Sequence, residues 1–339
     1  MSIHHYISDF LSSGPAGDLM PTDDLKCSSL DGCLNSNLAS DSVVELTPGQ
    51  RVIKHMRAAR LTSSEPFSLA DGCGRGCLFE FVRWQGQDRL IAKLISILKP
   101  EALPHLTLCQ GLTRADHLDT IIRQATELGI WRIVVFVSSR TTAKLHPGKE
   151  NTKLRRWQRV ARAAAEQCGR LTVPYIEPVL SLDAALALTN AMRPRLCAWE
   201  EAWEEACEGE NSKALDLGSA LRRGIERCNP ASVPPSMGPS EVTSLSPDLS
   251  DATSSDATSF DSTSSDASLF IGPEGGFSPV EVEQLRTAGC QIFSLGARIL
   301  RVDTAAAVAS ALALYEMGAL GTHPDLGTHV DRQASDHGR

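Results

Sequence analysis

The chain has 339 residues, which is enough for two domains with separate hydrophobic cores. No apolar stretch is long enough to cross a bilayer, and the N-terminus lacks the basic and apolar regions of a signal peptide, so we expect a cytoplasmic protein with no membrane partner. The ten cysteines follow neither a disulfide spacing nor a zinc spacing, which favours reduced thiols and predicts no metal site.

The net charge of −8 hides an uneven distribution of charge along the chain. Residues 51–200 hold 23 basic and 13 acidic side chains, a balance of +10, whereas the segments on either side are acidic. A polyanionic partner, RNA or DNA, explains this asymmetry better than a solvated surface does.

Residues 1–100 are predicted to form a small β-barrel domain, because short apolar runs alternate with polar turns. Residues 14–41 are rich in Ser, Gly, Asp and Asn and are interpreted as a loop insertion. Strands are expected at His5–Leu11, Val43–Leu46, Phe67–Ala70, Cys77–Trp84 and Leu90–Leu98.

Residues 104–320 are predicted to form a second domain, in which strands and helices alternate as in a mainly parallel α/β sheet. The polar tail, 321–339, is expected to be disordered. Strands are expected at Leu106–Cys109, Ile133–Val137, Leu196–Trp199, Leu269–Ile271 and Gln291–Ser294, and helices at Asp116–Leu128, Leu154–Gln167, Leu182–Leu188, Val280–Ala288 and from about Thr304.

Residues 201–268 are interpreted as an insertion in this second domain. Within it, 246–268 repeats DATSS, DATSF and DSTSS, and offers too little apolar surface to offset the entropy of ordering, so we expect a disordered loop. The stretch Ala214–Arg227 is compatible with a short helix.

The strongest candidate for a ligand-binding element is the turn GPEGG at 272–276, which follows the apolar strand ending at Ile271. Its glycines permit positive φ and close approach of the backbone to a ligand. Ser278 is expected to cap the next helix, with Pro279 in its first turn and Glu281 completing a capping box. Open α/β sheets bind ligands at such strand ends, although an ordinary tight turn has the same sequence features.

A second glycine loop, SLGARILRVDTA at 294–305, follows the next strand. It carries Arg298 and Arg301, and either Asp303 or Thr304 is expected to cap the helix after it. The alanines at 305–307 permit another backbone to approach closely, or act as plain helix formers.

These loops resemble the RsmE family of 16S rRNA uridine-N3 methyltransferases, within the SPOUT (trefoil-knot) superfamily. IGPEGGFSPVEVEQL (271–285) is similar to the family's IGPEGGF signature, and SLGARILRVDTAAA (294–307) to its SLGxRILRxETA loop. RQATELGI (123–130) and RWQRVARAAAEQCGR (156–170) match two further family segments in the same order. The resemblance covers nearly all of the chain except 14–41, 201–268 and the tail.

The resemblance implies a knotted α/β methyltransferase domain preceded by a PUA-like RNA-binding β-barrel, working as a homodimer. It implies a methyltransferase that uses S-adenosylmethionine to methylate N3 of a uridine in the 16S rRNA of the small ribosomal subunit. Asp303 stands where the family has Glu, and Ile53-Lys54 where it has paired histidines. The cofactor-binding residues that it implies are Ile271, Gly272, Glu274, Gly275, Gly276, Leu295, Gly296 and Leu300.

Arg301 is the candidate catalytic residue. Loss of the N3 proton spreads negative charge over the uracil oxygens, and a positioned guanidinium is suited to stabilise that charge. Arg301 could instead be a structural partner of Asp303, and the sequence names no general base. The candidate RNA contacts are Arg51, Lys54, Arg57 and Arg60 in the first domain, and Arg155, Arg156 and Arg159 in the second.

Two other functions fit these motifs. One is methylation of another RNA position, such as a 2′-hydroxyl. The other is a non-catalytic RNA-binding or ribosome-assembly factor that keeps the knot. Binding of S-adenosylmethionine separates an enzyme from a pure binder, and nucleoside mass spectrometry identifies the methylated atom.

Overall fold

The computed structural model describes residues 3–8, 41–99, 101, 104–143, 148–202, 217–226 and 266–320. Almost all of the segment 14–41, the tail at 321–339 and most of 201–268 lie outside the described residues, so their disorder and their status as insertions stay predictions. In the part of the chain that is described, no helix combines the length and the apolar character needed to cross a membrane.

The N-terminal part is a five-stranded sheet with a helix packed against it. Its strand order is β1-β3-β4-β5-β2, with β1 parallel to β3 and the other neighbours antiparallel. All five predicted strands are found, and closure into a barrel stays a prediction. The elements are β1 (His4–Ile7), β2 (Val43–Leu46), α1 (Gln50–Ala58), β3 (Pro66–Ala70), β4 (Gly76–Gln85) and β5 (Arg89–Leu98).

Helix α1 is an element that the sequence analysis does not predict. Val52, Ile53 and Met56 are its buried side chains, and they join the core formed by the sheet. Val52 and Ile53 are adjacent and only Met56 follows them after Lys54 and His55, so the short apolar face gives only a weak periodic signal.

The second part is a parallel α/β sheet, as predicted, and it has helices on both faces. The strand order is β12-β10-β11-β6-β7-β8, and β9 also pairs with β7. The strands are β6 (Leu106–Gly111), β7 (Arg132–Val137), β8 (Tyr175–Ile176), β9 (Leu180–Ser181), β10 (Arg195–Ala198), β11 (Ala267–Ile271) and β12 (Gln291–Phe293). The helices are α2 (Ala115–Leu128), α3 (Glu150–Cys168), α4 (Leu182–Leu188), α5 (Leu217–Glu226), α6 (Pro279–Thr287) and α7 (Val302–Glu316).

Alternate side chains of the central strands pack two separate helical layers. Leu108 belongs to the core shared with α2, α3, α5 and α7, whereas its neighbour Cys109 belongs to the core shared with α4 and α6. Because the strands are parallel, their carboxyl ends meet at one edge of the sheet. The loops that follow β6, β7, β10, β11 and β12 therefore converge there.

Two described pieces of the segment 201–268 are folded against the second domain. Helix α5 buries Leu217, Ala220 and Leu221 in the core that also contains α7. Strand β11 begins at Ala267, two residues before the predicted start, because its small residues Ala267 and Ser268 pair with β6 and β10. The sequence pattern misses Ala267 and Ser268 because neither residue is strongly apolar, whereas α5 lies within the predicted helix Ala214–Arg227.

The two parts of the molecule contact each other through Glu166, a buried residue of α3. Its Oε1 accepts a hydrogen bond from Ile7 N at 3.2 Å and pairs with Arg51 Nη2 of α1 at 2.5 Å. Arg162 donates to Ile7 O at 2.6 Å. A buried carboxylate needs such partners, so this cluster fixes β1 and α1 against α3.

Candidate functional site

A cavity that is open to solvent lies at the carboxyl edge of the parallel sheet. The ends of β10 and β11 and the loop after β12 line it. The structure thus brings together the two glycine loops that the sequence analysis singled out. Seven of the eight candidate cofactor residues line the cavity: Ile271, Gly272, Glu274, Gly276, Leu295, Gly296 and Leu300.

The glycine turn at 272–276 is held in place by the end of strand β6. A Cβ atom at Gly111 would lie 2.5 Å from Pro273 N, so glycine is needed for the turn to cross β6 this closely. The buried side chain of Gln110 donates from Nε2 to Gly111 O at 3.0 Å and to Gly272 O at 3.1 Å. These two residues were missed, because no local pattern marks contacts between positions about 160 residues apart.

Helix α6 begins directly after the turn with the predicted capping box. Ser278 Oγ accepts a hydrogen bond from Glu281 N at 3.4 Å, and Glu281 Oε2 accepts one from Ser278 N at 2.9 Å. Glu281 Oε1 also accepts from Ser139 N at 2.7 Å, in the loop after β7. Burial alone would raise the pKa of Glu281, but the hydrogen bonds from Ser139 and Ser278 hold it below its ordinary value.

Gly275 is the candidate cofactor residue that does not line the cavity. A Cβ atom there would lie 2.8 Å from Arg140 O and 3.1 Å from Arg140 Cβ, so Gly275 packs against the loop after β7. A larger residue at this position would therefore displace that loop before it reached a ligand.

Glu200, just after β10, is a cavity residue that the sequence analysis missed. Gly276 has a φ of 66°, and a Cβ atom there would overlap the carboxylate of Glu200. The sequence did contain a signal for Glu200. It follows the short strand that ends at Ala198, and residues that follow a parallel strand lie at the ligand-binding edge of the sheet.

Glu274 joins the turn to helix α2. Its Oε1 accepts a hydrogen bond from Arg114 N at 3.0 Å, immediately before the first residue of α2, and lies 3.7 Å from Arg114 Nε. This carboxylate lines the cavity and also fixes the position of the turn relative to α2.

The structure separates Arg301 from Asp303. Asp303 Oδ2 lies 3.8 Å from Nδ1 of His117 on α2, so the carboxylate is directed toward that helix. Arg301 occupies the N-cap position of α7, is exposed, and has no side-chain bond to any other described residue. One of the two roles considered for Arg301 was a structural pairing with Asp303, and this pairing is not formed.

The candidate RNA contacts of the N-terminal part divide into two kinds. The guanidinium of Arg51 pairs with Glu166 at the contact with α3, and its role as an RNA contact stays a prediction. Arg57 lies 4.3 Å from the centroid of the Trp84 ring and donates to Gly86 O at 2.7 Å, which fixes an exposed charge. Lys54 and Arg60 are exposed.

The three candidate RNA contacts on α3 are all exposed. Arg156 is paired with Asp119 of α2, and Arg159 Nε donates to Arg155 O at 3.4 Å. Arg155 and Arg159 therefore present charge to solvent on one face of this helix.

Comparison with known proteins places these features in a family. The model for the RNA methyltransferase domain matches residues 99–222 and 219–314. The ribosomal RNA small subunit methyltransferase E of Mycobacterium bovis is 26% identical over 304 residues, which cover 88% of this chain and 93% of that protein. The Bacillus subtilis protein of the same name is 28% identical over 211 residues, which cover 62% of this chain and 65% of that protein.

The fold also matches a solved structure. The crystal structure of a ribosomal RNA small subunit methyltransferase E from Neisseria gonorrhoeae, bound to S-adenosyl methionine, aligns with a TM-score of 0.58 and 21% identity. The alignment covers 92% of this chain and 96% of that chain, so both parts of the molecule share its fold.

Proposed function

We propose, because this chain belongs to the RNA methyltransferase domain family and within it to the RsmE family, that it methylates N3 of a uridine in the 16S rRNA of the small ribosomal subunit. S-adenosylmethionine would be the methyl donor, and the cytoplasm the place of action. The observation that carries this proposal is the cavity formed by the family's two glycine loops at the carboxyl edge of the sheet.

The residues of the cavity fit this cofactor. Ile271, Leu295 and Leu300 offer apolar surface, and the glycines at 272 and 276 expose backbone groups to a ligand. Glu200 adds a carboxylate, which attracts a cation, and S-adenosylmethionine carries positive charge on its sulfur and its amino group. The bound cofactor supplies an activated methyl group, so the protein chiefly has to orient the base and stabilise its anion.

We assign that stabilising role to Arg301. It stands directly before α7, between the cavity residues Leu300 and Val302, and its side chain is exposed. A guanidinium here is available to a uracil anion without first breaking a bond to another described residue. No described side chain is assigned the role of general base.

The finer features of the family architecture are part of the proposal. The N-terminal sheet would close as a PUA-like barrel that binds RNA, with Lys54, Arg57 and Arg60 among its phosphate contacts. The loops after β11 and β12 would form the trefoil knot. Support comes from the strand order, in which β11 lies between β10 and β6. General connection rules disfavour knots, so the family resemblance is what favours one here.

A homodimer is proposed on the exposed face of α7. Val308, Leu312 and Tyr315 are 38%, 43% and 57% exposed and lie on one side of the helix. Ile299, in the loop before α7, is 87% exposed. A second copy covering this apolar face would lie next to the cavity, since Ala305 of the same helix lines it.

Nucleoside mass spectrometry of 16S rRNA from a strain that lacks this protein tests the proposal. The expected result is loss of N3-methyluridine at one position and its return with the wild-type protein. Loss of another methylated nucleoside would assign a different target atom. If nothing changes and calorimetry detects no binding of S-adenosylmethionine, the protein is a non-catalytic RNA-binding factor.

A further inference from the structure

The loop after strand β7 is fixed against the glycine turn. Ser139 donates from its backbone to Glu281 Oε1 at 2.7 Å and from its hydroxyl to Glu281 Oε2 at 2.9 Å. The next residue, Arg140, packs against Gly275, the one glycine of the turn that faces away from the cavity. The backbone of Arg140 thus lies directly against the turn that forms the cavity wall.

The side chain of Arg140 is exposed and weakly engaged. Among the described residues its guanidinium makes one contact, from Nη1 to Gly275 O at 3.4 Å, which is at the limit of a hydrogen bond. Nearby, the side chain of Arg114 is 71% exposed, and its Nε lies 3.7 Å from Glu274. Both guanidiniums therefore keep donors for an external anion, and their planar fork suits the oxygens of a phosphate.

These two arginines complete a positive rim around the site. Arg298 and Arg301 lie in the loop after β12 on one side of the glycine turn, and Arg114 and Arg140 follow β6 and β7 on the other. Of the nearby carboxylates, Glu281 accepts backbone hydrogen bonds through both oxygens and Glu274 through Oε1. A polyanionic strand crossing this edge of the sheet would meet basic side chains on both sides of the cavity.

We propose that Arg140, assisted by Arg114, binds the backbone phosphates of the target RNA strand beside the reacting uridine. This places the base over the cavity from the side opposite Arg301. The inference rests on the proposed function, and it assigns a substrate-binding role to a loop that none of the resembling motifs includes.

The test compares the wild-type protein with Arg140→Ala and Arg140→Lys in three measurements. These are binding of labelled 16S rRNA across a salt series, affinity for S-adenosylmethionine by calorimetry, and methylation of small-subunit particles. For Arg140→Ala we expect about tenfold weaker RNA binding and a salt dependence shallower by roughly one charge. Cofactor affinity should be unchanged, and Arg140→Lys should recover part of the RNA binding.

Arg193→Ala is the matched control. Arg193 is an exposed arginine at the opposite, amino-terminal edge of the same sheet, where it donates to Asn190 O and Met192 O at 2.6 Å. Its removal takes away one positive charge far from the cavity and should leave the RNA affinity near that of the wild type.

Two results would overturn the inference. One is wild-type RNA affinity and salt dependence in Arg140→Ala. The other is a loss of cofactor affinity as large as the loss of RNA affinity, which would make Arg140 a support of the glycine turn. A different result would overturn the proposed function: no methylation of small-subunit RNA by the wild-type protein. In that case the RNA-binding measurements still decide the role of Arg140.

Discussion

Replacing Arg301 with alanine tests the central step of the proposed reaction. The side chain is exposed and bonds to no other described residue, so its loss should change the free energy of unfolding by no more than about 0.5 kcal/mol. If its guanidinium stabilises the uracil anion, the same change removes one donor to a developing negative charge. That loss typically costs about 3–4 kcal/mol, or roughly a hundredfold to a thousandfold in rate.

The assay is single-turnover methylation of small-subunit particles with labelled S-adenosylmethionine, at saturating concentrations of both. Arg301→Ala should lose most of the rate while it keeps its melting temperature and its cofactor affinity. Arg301→Lys should recover only part of the rate, because an ammonium keeps the charge but not the planar fork. A normal rate for Arg301→Ala at saturation would remove its catalytic role, and a parallel loss of cofactor affinity would make it a cofactor contact.

Three further predictions concern the cavity wall, its anchor and the low-complexity segment. Gly276→Ala should lower the affinity for S-adenosylmethionine in calorimetry, because φ is 66° and the new methyl would overlap Glu200; affinity equal to that of the wild type would refute this. Because folding lowers the pKa of Glu281, its carboxylate stabilises the fold at pH values above its ordinary pKa of 4.5. The free energy of unfolding should therefore fall as the pH drops through the folded-state pKa. Glu281→Gln should flatten this acid dependence in denaturant titrations at several pH values, and an unchanged slope would contradict the assignment. Deleting 246–265 with a short Gly/Ser linker should leave the melting temperature and methylation nearly unchanged, whereas a large drop in either would show that the segment contributes to the fold.

The elements found from sequence are those whose signal is local. The main strands of the second domain are runs of apolar residues. Its helices α2 and α3 end at Gly129 and Gly169, which adopt the left-handed conformation that glycine favours. Helix α1 was missed because its apolar face holds only three buried residues. Strands β8 and β9 were missed because each has two residues, too few for any periodicity to appear.

The same difference between local and long-range signals decides which residues of the candidate site could be found from the sequence. Both glycine loops are visible as motifs, and the strand ends predict that they meet. Gln110, Gly111, Glu200 and Arg140 were not found, because each acts on the turn from a distant part of the chain. The pairing of Arg51 with Glu166 was not found for a related reason: Glu166 lies 115 residues away and in another part of the molecule.

The two walls of the cavity differ in how firmly they are held, and the difference bears on how the reaction is organised. Gln110 and the backbone of Arg114 bind the glycine turn itself, and Ser139 binds the helix that follows it. The loop that carries Arg301 instead leaves Ile299 87% exposed next to the apolar face of α7. On the proposed dimer, the second copy would cover Ile299 and order this loop, which would give Arg301 the fixed position that stabilisation of an anion requires. Dimer formation would then be a condition for methyl transfer as well as a source of stability.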